Sequence, residues 1–264
     1  MTDAAAPCLH YAVADGIATV TLDNPARMNA LTAAMWGALP AVMAQAETDA
    51  TVRVIILRGA GQRAFSAGAD ISEFETARAG DAVHTYDQLN HAAFEALTGS
   101  TKPTIAMIHG FCLGGGLGLA LACDLRIADT AAQFAIPPAK LGIGYNPRWI
   151  WPILRTVSPA GAKLLLFTGR RFSSSQALAM GLITEAVATE TLEASTNALA
   201  AEIAANAPLS VAAAKVMIDA FSRPGQAPDL ADLDRHVMAC FASEDYAEGR
   251  RAFLEKRKPA FKGR

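Results

Sequence analysis

Hydrophobic and polar residues alternate at the start of the chain, in two short segments on either side of Asp15-Gly16. Alternation with a period of two predicts strands with one exposed face, and the Asp-Gly pair predicts a tight turn between them. We therefore predict a β-hairpin over residues 8–22. Two later runs, 52–57 and 104–108, are rich in β-branched residues without alternation, which indicates strands buried on both faces of a covered sheet.

Helical spacing of apolar residues covers residues 32–45 and about 81–97, with Pro40 in the first segment as a predicted kink or break. Ser158 and Ser173 are predicted to begin two further helices, because serine is a favoured N-cap residue. We expect helices to lie between the strands along the first two thirds of the chain.

The last third of the chain has a helical pattern throughout. Further short strands are predicted at 125–128, 133–136 and 182–187. Repeated strand–strand–helix units followed by helices alone predict an α/β core over residues 1–189 and a helical extension over residues 190–264. Such extensions often make subunit contacts, so we expect an oligomerisation region there.

Three consecutive glycines, Gly114 to Gly116, lie between the predicted strand 104–108 and a predicted helix over 117–123. A strand that turns through glycines into a helix leaves free N–H groups at the positive end of the helix dipole, where an oxyanion is attracted. The spacing does not match the dinucleotide fingerprint, because leucine occupies the last glycine position, and no GK[ST] follows. A second glycine turn, residues 65–70, lies upstream.

Composition narrows the function classes. With 264 residues, 52% of them hydrophobic, the chain can bury a large core, and a net charge of -2 argues against nucleic acid as the main partner. The four cysteines form no C-x-x-C pair and no metal-like grouping with the five histidines, so we expect reduced thiols and no metal site. With no secretory leader or long apolar stretch, we expect a cytoplasmic protein that does not enter a membrane.

Six segments resemble the enoyl-CoA hydratase/isomerase (crotonase) superfamily, in family order along nearly the whole chain. They are NPARMNAL (24–31), RAFSAGADISEF (63–74), KPTIAMIHGFCLGGGLGLALACDLRIA (102–128), FAIPPAKLGIG (134–144), LLLFTGRRFSSSQALAMGLITEAV (164–187) and SEDYAEGRRAFLEKRKPAF (243–261). The resemblance implies an α/β crotonase fold, a spiral of ββα units with a C-terminal helical trimerisation region. It also implies a homotrimer or a hexamer made of two trimers.

The resemblance further implies an acyl-CoA substrate whose thioester oxyanion is stabilised by two backbone N–H groups, those of Ala69 and Gly115. No cofactor is expected, since coenzyme A enters as part of the substrate. The residues that the resemblance assigns to coenzyme A are Met28, Ala30, Ala67, Asp70, Ile71, Lys258 and Phe261, the last two often reaching a neighbouring subunit.

The sequence departs from the hydratases of this superfamily at both catalytic glutamates. Gly118 and Pro138 stand at those positions, and neither can transfer a proton. Asn146 stands where isomerases and dehalogenases of the superfamily carry an acid. The side chains left as catalytic candidates at the pocket mouth are Tyr145 and Asn146, beside Arg148.

Three readings of the function stay open. The broad one is a family enzyme that forms an enolate of an acyl-CoA thioester. A lyase similar to methylmalonyl-CoA decarboxylase is favoured by Tyr145-Asn146, because losing CO2 generates the enolate without an acid. A non-catalytic protein that binds coenzyme A or RNA is the third. His84 and His91 are weaker candidates for proton transfer, and each side chain also has a purely structural interpretation.

Overall fold

The computed structural model describes residues 6–73, 82–223, 225 and 227–264. Within these residues ten strands form two sheets. The strands are β1 Cys8–Ala14, β2 Ile17–Asp23, β3 Val54–Gly59, β4 Ala64–Ser66, β5 Thr104–Ile108, β6 Phe111–Leu113, β7 Leu125–Asp129, β8 Gln133–Ala135, β9 Phe172–Ser173 and β10 Glu185–Val187. The predicted hairpin is confirmed, with Ala14 paired to Ile17 across the turn.

The two sheets are built by the same repeated unit. The larger sheet has the order β1-β2-β3-β5-β7-β10, and the smaller has the order β4-β6-β8-β9. Each of the consecutive pairs β3 and β4, β5 and β6, and β7 and β8 therefore gives one strand to each sheet. Neighbouring strands from these pairs run parallel within both sheets, so the chain advances as a spiral of ββα units.

Ten α-helices cover the described part of the chain. They are α1 Ala33–Thr48, α2 Ala82–Thr98, α3 Gly115–Ala122, α4 Ile150–Leu154, α5 Pro159–Thr168, α6 Ser174–Ala179, α7 Leu192–Ala204, α8 Pro208–Ser222, α9 Leu230–Ala242 and α10 Glu244–Glu255. The main core lies between the sheets and the helices α1 to α3, where Trp36, Phe65 and Phe134 are fully buried. A smaller apolar cluster joins α7 to the other face of the large sheet.

Four predicted elements differ from the structure, and one is the strand predicted at 52–57, which lies at Val54–Gly59 as β3. The helix α1 continues through Pro40 to Thr48, because the burial of Trp36, Leu39 and Met43 offsets the hydrogen bond that proline cannot donate. The helix α3 begins at Gly115, two residues earlier than predicted. The strand β10 is three residues long, because the chain before it turns to accept hydrogen bonds from Arg126.

The helices α7 to α10 form the predicted C-terminal extension, while the division at residue 189 and its role in assembly stay predictions. Among the described residues no single helix is long and apolar enough to cross a membrane. One pair, Thr189–Ala204 with Pro208–Ser222, meets the criteria of length and composition together, but the two segments are bent by 104°.

Candidate active site

Two glycine turns that are far apart in sequence lie against each other in the fold. One follows β4 and contains Gly68, and the other follows β6 and contains Gly114 and Gly115. A Cβ atom on Gly68 would lie 2.9 Å from the Leu113 carbonyl oxygen and 3.1 Å from the Gly115 amide nitrogen. Gly68 also has a φ of +97°, so glycine is required there by both space and backbone conformation.

The amide of Ala69 is left free by the way its neighbours pair. The Leu31 amide donates to the Gly68 carbonyl at 2.7 Å, and the Asp70 amide donates to the Leu31 carbonyl at 2.9 Å. Successive amides of an extended segment point in opposite directions, so the Ala69 N–H points away from Leu31. It has no hydrogen-bond acceptor within the described residues.

The amide of Gly115 is free for a different reason. Gly115 is the first residue of α3, and N–H groups in the first turn of a helix have no acceptor within it. A Cβ on Gly115 would lie 3.7 Å from the Ala69 nitrogen, so the two unpartnered amides are close neighbours. Both residues line one cavity of about 220 Å³. This arrangement can accept an anionic oxygen at a helix N-terminus.

Three aromatic side chains, Phe94, Tyr145 and Trp149, also line this cavity, which we term the acyl cavity. Phe94 on α2 lies 5.7 Å from Trp36 and 5.5 Å from Trp149, measured between ring centroids, and Tyr145 lies 5.8 Å from Trp149. Tyr145 makes no hydrogen bond to the described residues, and burial raises the pKa of its phenol. Tyr145 is therefore neutral at physiological pH and can donate a hydrogen bond to a ligand.

Acidic and basic groups are absent from the described lining of the acyl cavity. The lining residues are Ala67, Gly68, Ala69, Asn90, Phe94, Leu113, Gly114, Gly115, Ile136, Pro137, Pro138, Leu141, Ile143, Gly144, Tyr145 and Trp149. A larger cavity of about 430 Å³ lies near the C-terminal end of α3 and is lined by the ion pairs Lys215–Asp124 and Arg155–Asp219. It lacks the two free amides, so we place the candidate active site in the acyl cavity.

Comparison with known proteins shows the family of the chain. The sequence profile of the enoyl-CoA hydratase/isomerase family matches residues 12–264. The chain belongs to this family. Among curated relatives, the short-chain-enoyl-CoA hydratase of Clostridium acetobutylicum is 34% identical over 249 residues, which cover 94% of this chain and 95% of the relative. A carnitinyl-CoA dehydratase of Proteus mirabilis is 35% identical over 260 residues, covering 97% and 98%.

Solved structures of the family share the fold of this hydratase/isomerase family member. An enoyl-CoA hydratase/carnithine racemase from Magnetospirillum magneticum superposes with a TM-score of 0.93 and is 36% identical, covering 100% of this chain and 97% of its own. A putative enoyl-CoA hydratase/isomerase family protein from Hyphomonas neptunium has a TM-score of 0.92 and 39% identity, covering 97% and 98%. The predicted crotonase fold is confirmed.

In this family member the two positions expected to hold glutamates differ in their surroundings. Pro138 lines the acyl cavity and begins a short 3-10 helix, Pro138–Leu141. Gly118 faces the ring of Phe94: a Cβ on Gly118 would lie 2.8 Å from Phe94 Cζ and 3.0 Å from Cε1. The space beside residue 118 is therefore filled by an aromatic ring.

The structure does not bring all predicted catalytic side chains together. Tyr145 lines the acyl cavity, whereas Asn146 does not. The Asn146 side chain instead caps the 3-10 helix Pro147–Trp149 by accepting a hydrogen bond from the Arg148 amide at 3.0 Å. Arg148 is exposed. A catalytic role for Asn146 stays a prediction that this geometry does not support.

The residues expected to bind coenzyme A fall into separate groups. Ala67 lines the acyl cavity, and its amide donates to the Met28 carbonyl at 2.9 Å, which places the Met28 loop beside the cavity. Ala30 is buried in the same loop. The Ile71 backbone opens a 3-10 helix, Ile71–Glu73, and its side chain lies outside the described residues.

Asp70 is placed by an ion pair and does not line the acyl cavity. It accepts hydrogen bonds from Arg27 at 2.8 Å and from the Ser72 amide at 3.0 Å. Burial opposes its charged form, but the hydrogen bonds from Ser72 and Arg27 outweigh burial and lower the pKa of the carboxyl group. Asp70 thus holds the end of the glycine turn in a fixed conformation.

Lys258 and Phe261 lie away from the acyl cavity of their own chain. Phe261 lines a groove of about 590 Å³ between the C-terminal helices, and its carbonyl accepts a hydrogen bond from Arg53 at 3.5 Å. Lys258 is exposed. The resemblance assigns both to the coenzyme A of a neighbouring subunit, and that assignment stays a prediction.

The cavity residues that sequence reasoning missed include Asn90, Phe94 and Trp149. Asn90 and Phe94 are four residues apart and so share one face of α2, a spacing that is readable in the sequence but typical of core packing. Of the two histidine candidates, His91 does not line the acyl cavity. The side chain of His84 lies outside the described residues, and His91 pairs with Glu95 at 3.2 Å.

The described residues contain one grouping of possible metal ligands that was not apparent in the sequence, while the expectation of no metal site stays a prediction. Cys8, His10 and Asp23 each present one ligand-type atom, and these atoms lie within 4.8 Å of one another. The register of the β1–β2 hairpin pairs Cys8 directly with Asp23, so residues far apart in sequence meet. None of the three lines the acyl cavity.

Proposed function

We propose that this family member acts on an acyl-CoA thioester by stabilising the enolate oxygen with the N–H groups of Ala69 and Gly115. The observation that carries the proposal is that two unpartnered amides from separate glycine turns meet at one cavity. The thioester oxygen gains negative charge only as the enolate forms, so preorganised donors favour the transition state over the bound substrate.

The expected reaction is not hydration by two glutamates. Gly118 and Pro138 cannot hold a water or transfer a proton, and the described cavity lining holds no other acid or base. Relatives named enoyl-CoA hydratase and carnitinyl-CoA dehydratase support acyl-CoA as the substrate class. The names of these relatives do not support hydration by this chain, because Gly118 and Pro138 stand where the hydratase pattern has glutamates.

The test incubates the purified protein with crotonyl-CoA, butyryl-CoA and, separately, methylmalonyl-CoA in D2O. We expect deuterium from the solvent to replace the departing CO2 at the α-carbon of methylmalonyl-CoA, an exchange that forms the enolate without a base, and we expect no hydration of crotonyl-CoA. A Gly115→Ala variant keeps its N–H, but its Cβ would lie 3.0 Å from the Trp36 ring and 3.7 Å from the Ala69 nitrogen, where it obstructs the approach of the thioester oxygen. We expect this obstruction to slow exchange by up to about 10² to 10³, the usual cost of losing one oxyanion donor.

Gly37→Ala is the matched control, because a Cβ on Gly37 makes only an ordinary 3.4 Å contact with Leu89. Its exchange rate should equal that of the wild type. Exchange that is unchanged in Gly115→Ala would contradict the oxyanion assignment. Thioester binding without any exchange or turnover would favour a non-catalytic protein, and salt-dependent RNA binding would identify its nucleic-acid version.

A malonyl-type CoA decarboxylase is the second candidate, and the acid-free cavity favours it. Loss of CO2 leaves the enolate without a base, and the Tyr145 hydroxyl is a free neutral donor that can orient the leaving carboxylate. We expect Tyr145→Phe to slow CO2 release from methylmalonyl-CoA by about ten- to a hundredfold, the value of a hydrogen bond to a charged group, with binding of CoA unchanged. An unchanged rate would refute this role.

A further inference from the structure

Asn90 is a buried amide in the wall of the acyl cavity. It lies on α2, is only 3% exposed, and lines the same cavity as Ala69 and Gly115. Its Nδ2 atom donates to the Tyr86 carbonyl oxygen at 2.8 Å. A buried polar side chain in an apolar wall needs a hydrogen-bond partner for each of its polar atoms.

The bond to Tyr86 fixes the orientation of the amide. A backbone carbonyl can only accept, so the nitrogen of Asn90 must face Tyr86 and the Oδ1 atom must face away from it. Within the described residues Oδ1 accepts no hydrogen bond, yet it is not sealed from solvent as the Trp149 Nε1 atom is. Asn90 therefore presents a free carbonyl oxygen, and one remaining N–H, to the open cavity.

Few groups near Asn90 could donate a hydrogen bond to this oxygen. Phe94 lies one turn further along α2, and Ile136, Leu141 and Ile143 also line the cavity. Tyr145 is the other described lining side chain with an accessible polar atom. An unsubstituted acyl chain would bury the Asn90 oxygen unpaired, and a carboxylate would bring a second acceptor against it.

We propose that Asn90 forms a subsite for a hydroxyl group carried by the acyl chain of the thioester substrate. The hydroxyl donates to Oδ1 and can accept from the remaining Nδ2–H, so both free positions of the amide are used. This inference rests on the proposed function, because it needs the thioester to be bound at Ala69 and Gly115. In this proposal Asn90 selects the substrate, while the N–H groups of Ala69 and Gly115 stabilise the enolate oxygen.

The test compares dissociation constants for butyryl-CoA, 3-hydroxybutyryl-CoA, 4-hydroxybutyryl-CoA and methylmalonyl-CoA by calorimetry. The wild type should bind at least one hydroxylated thioester about tenfold more tightly than butyryl-CoA, the value of one buried neutral hydrogen bond. Asn90→Leu should abolish that difference while binding butyryl-CoA at least as tightly, because leucine fills the same space without an unpaired oxygen.

The substitution leaves the helix intact, since the backbone N–H at residue 90 still bonds the Tyr86 carbonyl within α2. Retained butyryl-CoA binding checks the fold, and Asn90→Ala serves as a second variant. Asn197→Leu, on an exposed face of α7, is the matched control and should keep the selectivity of the wild type.

The outcomes separate the two levels of the proposal. Equal binding of plain and hydroxylated thioesters by the wild type, or a difference that persists in both Asn90 variants, would overturn the subsite alone. A preference for methylmalonyl-CoA that Asn90→Leu removes would overturn the hydroxyl assignment in favour of a carboxylate contact. Failure of every thioester to bind would contradict the proposed function as well.

Discussion

Gly118 and Phe94 illustrate how one residue of the site determines another. A side chain at position 118 would enter the Phe94 ring, which itself packs between Trp36 and Trp149. The ring thus occupies the space that an acid on α3 would need. An acid at position 118 therefore needs two substitutions, one at Gly118 on α3 and one at Phe94 on α2.

We expect Gly118→Glu alone to lower the free energy of unfolding by about 1–3 kcal/mol, the usual cost of overpacking a core, because Phe94 cannot move without displacing two tryptophans. Phe94→Ala alone should cost about 3–5 kcal/mol by leaving a cavity. The double variant should be more stable than the sum of the two effects predicts, measured by urea unfolding. Strict additivity would show that the two side chains do not compete for the same space.

The helix α3 has a free amide at its N-terminus and two cations at its C-terminus, where they suit its dipole. Its N-terminus supplies the Gly115 amide to the acyl cavity. At its C-terminus, Arg126 donates to the Ala120 and Cys123 carbonyls at 3.3 and 2.8 Å, and Arg155 donates to the Cys123 carbonyl at 3.1 Å. Burial lowers the pKa of Arg126 to about 10, which still leaves the guanidinium charged at neutral pH. The two cations stabilise the helix whose first turn carries the proposed oxyanion donor.

Most elements of the core were predictable from sequence, because local signals and tertiary packing agree there. The predicted strand 104–108 matches β5, and the Ser158 and Ser173 caps accept hydrogen bonds from Gly161 and Gln176 at the starts of α5 and α6. The two glycine turns were also predictable, since glycine patterns report backbone requirements directly. Pro40 misled the prediction, because the burial of neighbouring side chains, which decides the outcome, is not a local property.

The side-chain wall of the site was not predictable in the same way. Asn90 and Phe94 belong to a helical stripe that reads as core, and only the packing of α2 against α3 turns that stripe toward the cavity. Likewise, Asn146 looks like a catalytic candidate in the sequence but caps a short helix in the fold. Residue patterns predict helices, strands and turns. Which side chains meet depends on how elements distant in sequence pack together.

At the scale of the whole molecule, the C-terminal helices carry several large apolar side chains that are exposed to solvent. Phe253 is 83% exposed and Leu254 is 78% exposed on α10, and Ile218, Phe221 and Met238 are also exposed on α8 and α9. Exposed apolar patches of this kind mark interaction surfaces. The family resemblance assigns this region to assembly of a trimer or a hexamer, which the single chain leaves as a prediction.

We expect the wild type to have three or six times the 27.6 kDa mass of the chain in light scattering coupled to size exclusion. Replacing Phe253 and Leu254 together by aspartate should shift the mass to that of a single chain, because buried unpaired carboxylates oppose association. The matched control is Phe167→Asp on α5, a residue that is 74% exposed but lies outside the C-terminal helices, and it should keep the mass of the wild type.

The same variants test whether a neighbour completes the substrate site. If Lys258 and Phe261 contact coenzyme A across the subunit boundary, the dissociated double variant should bind CoA more weakly, while Phe167→Asp should bind it as the wild type does. Lys258→Gln in the intact assembly should weaken CoA binding without changing the mass, since it removes a cation from the phosphates and leaves the apolar surface unaltered. Dissociation with unchanged CoA affinity would show that each chain binds its substrate alone.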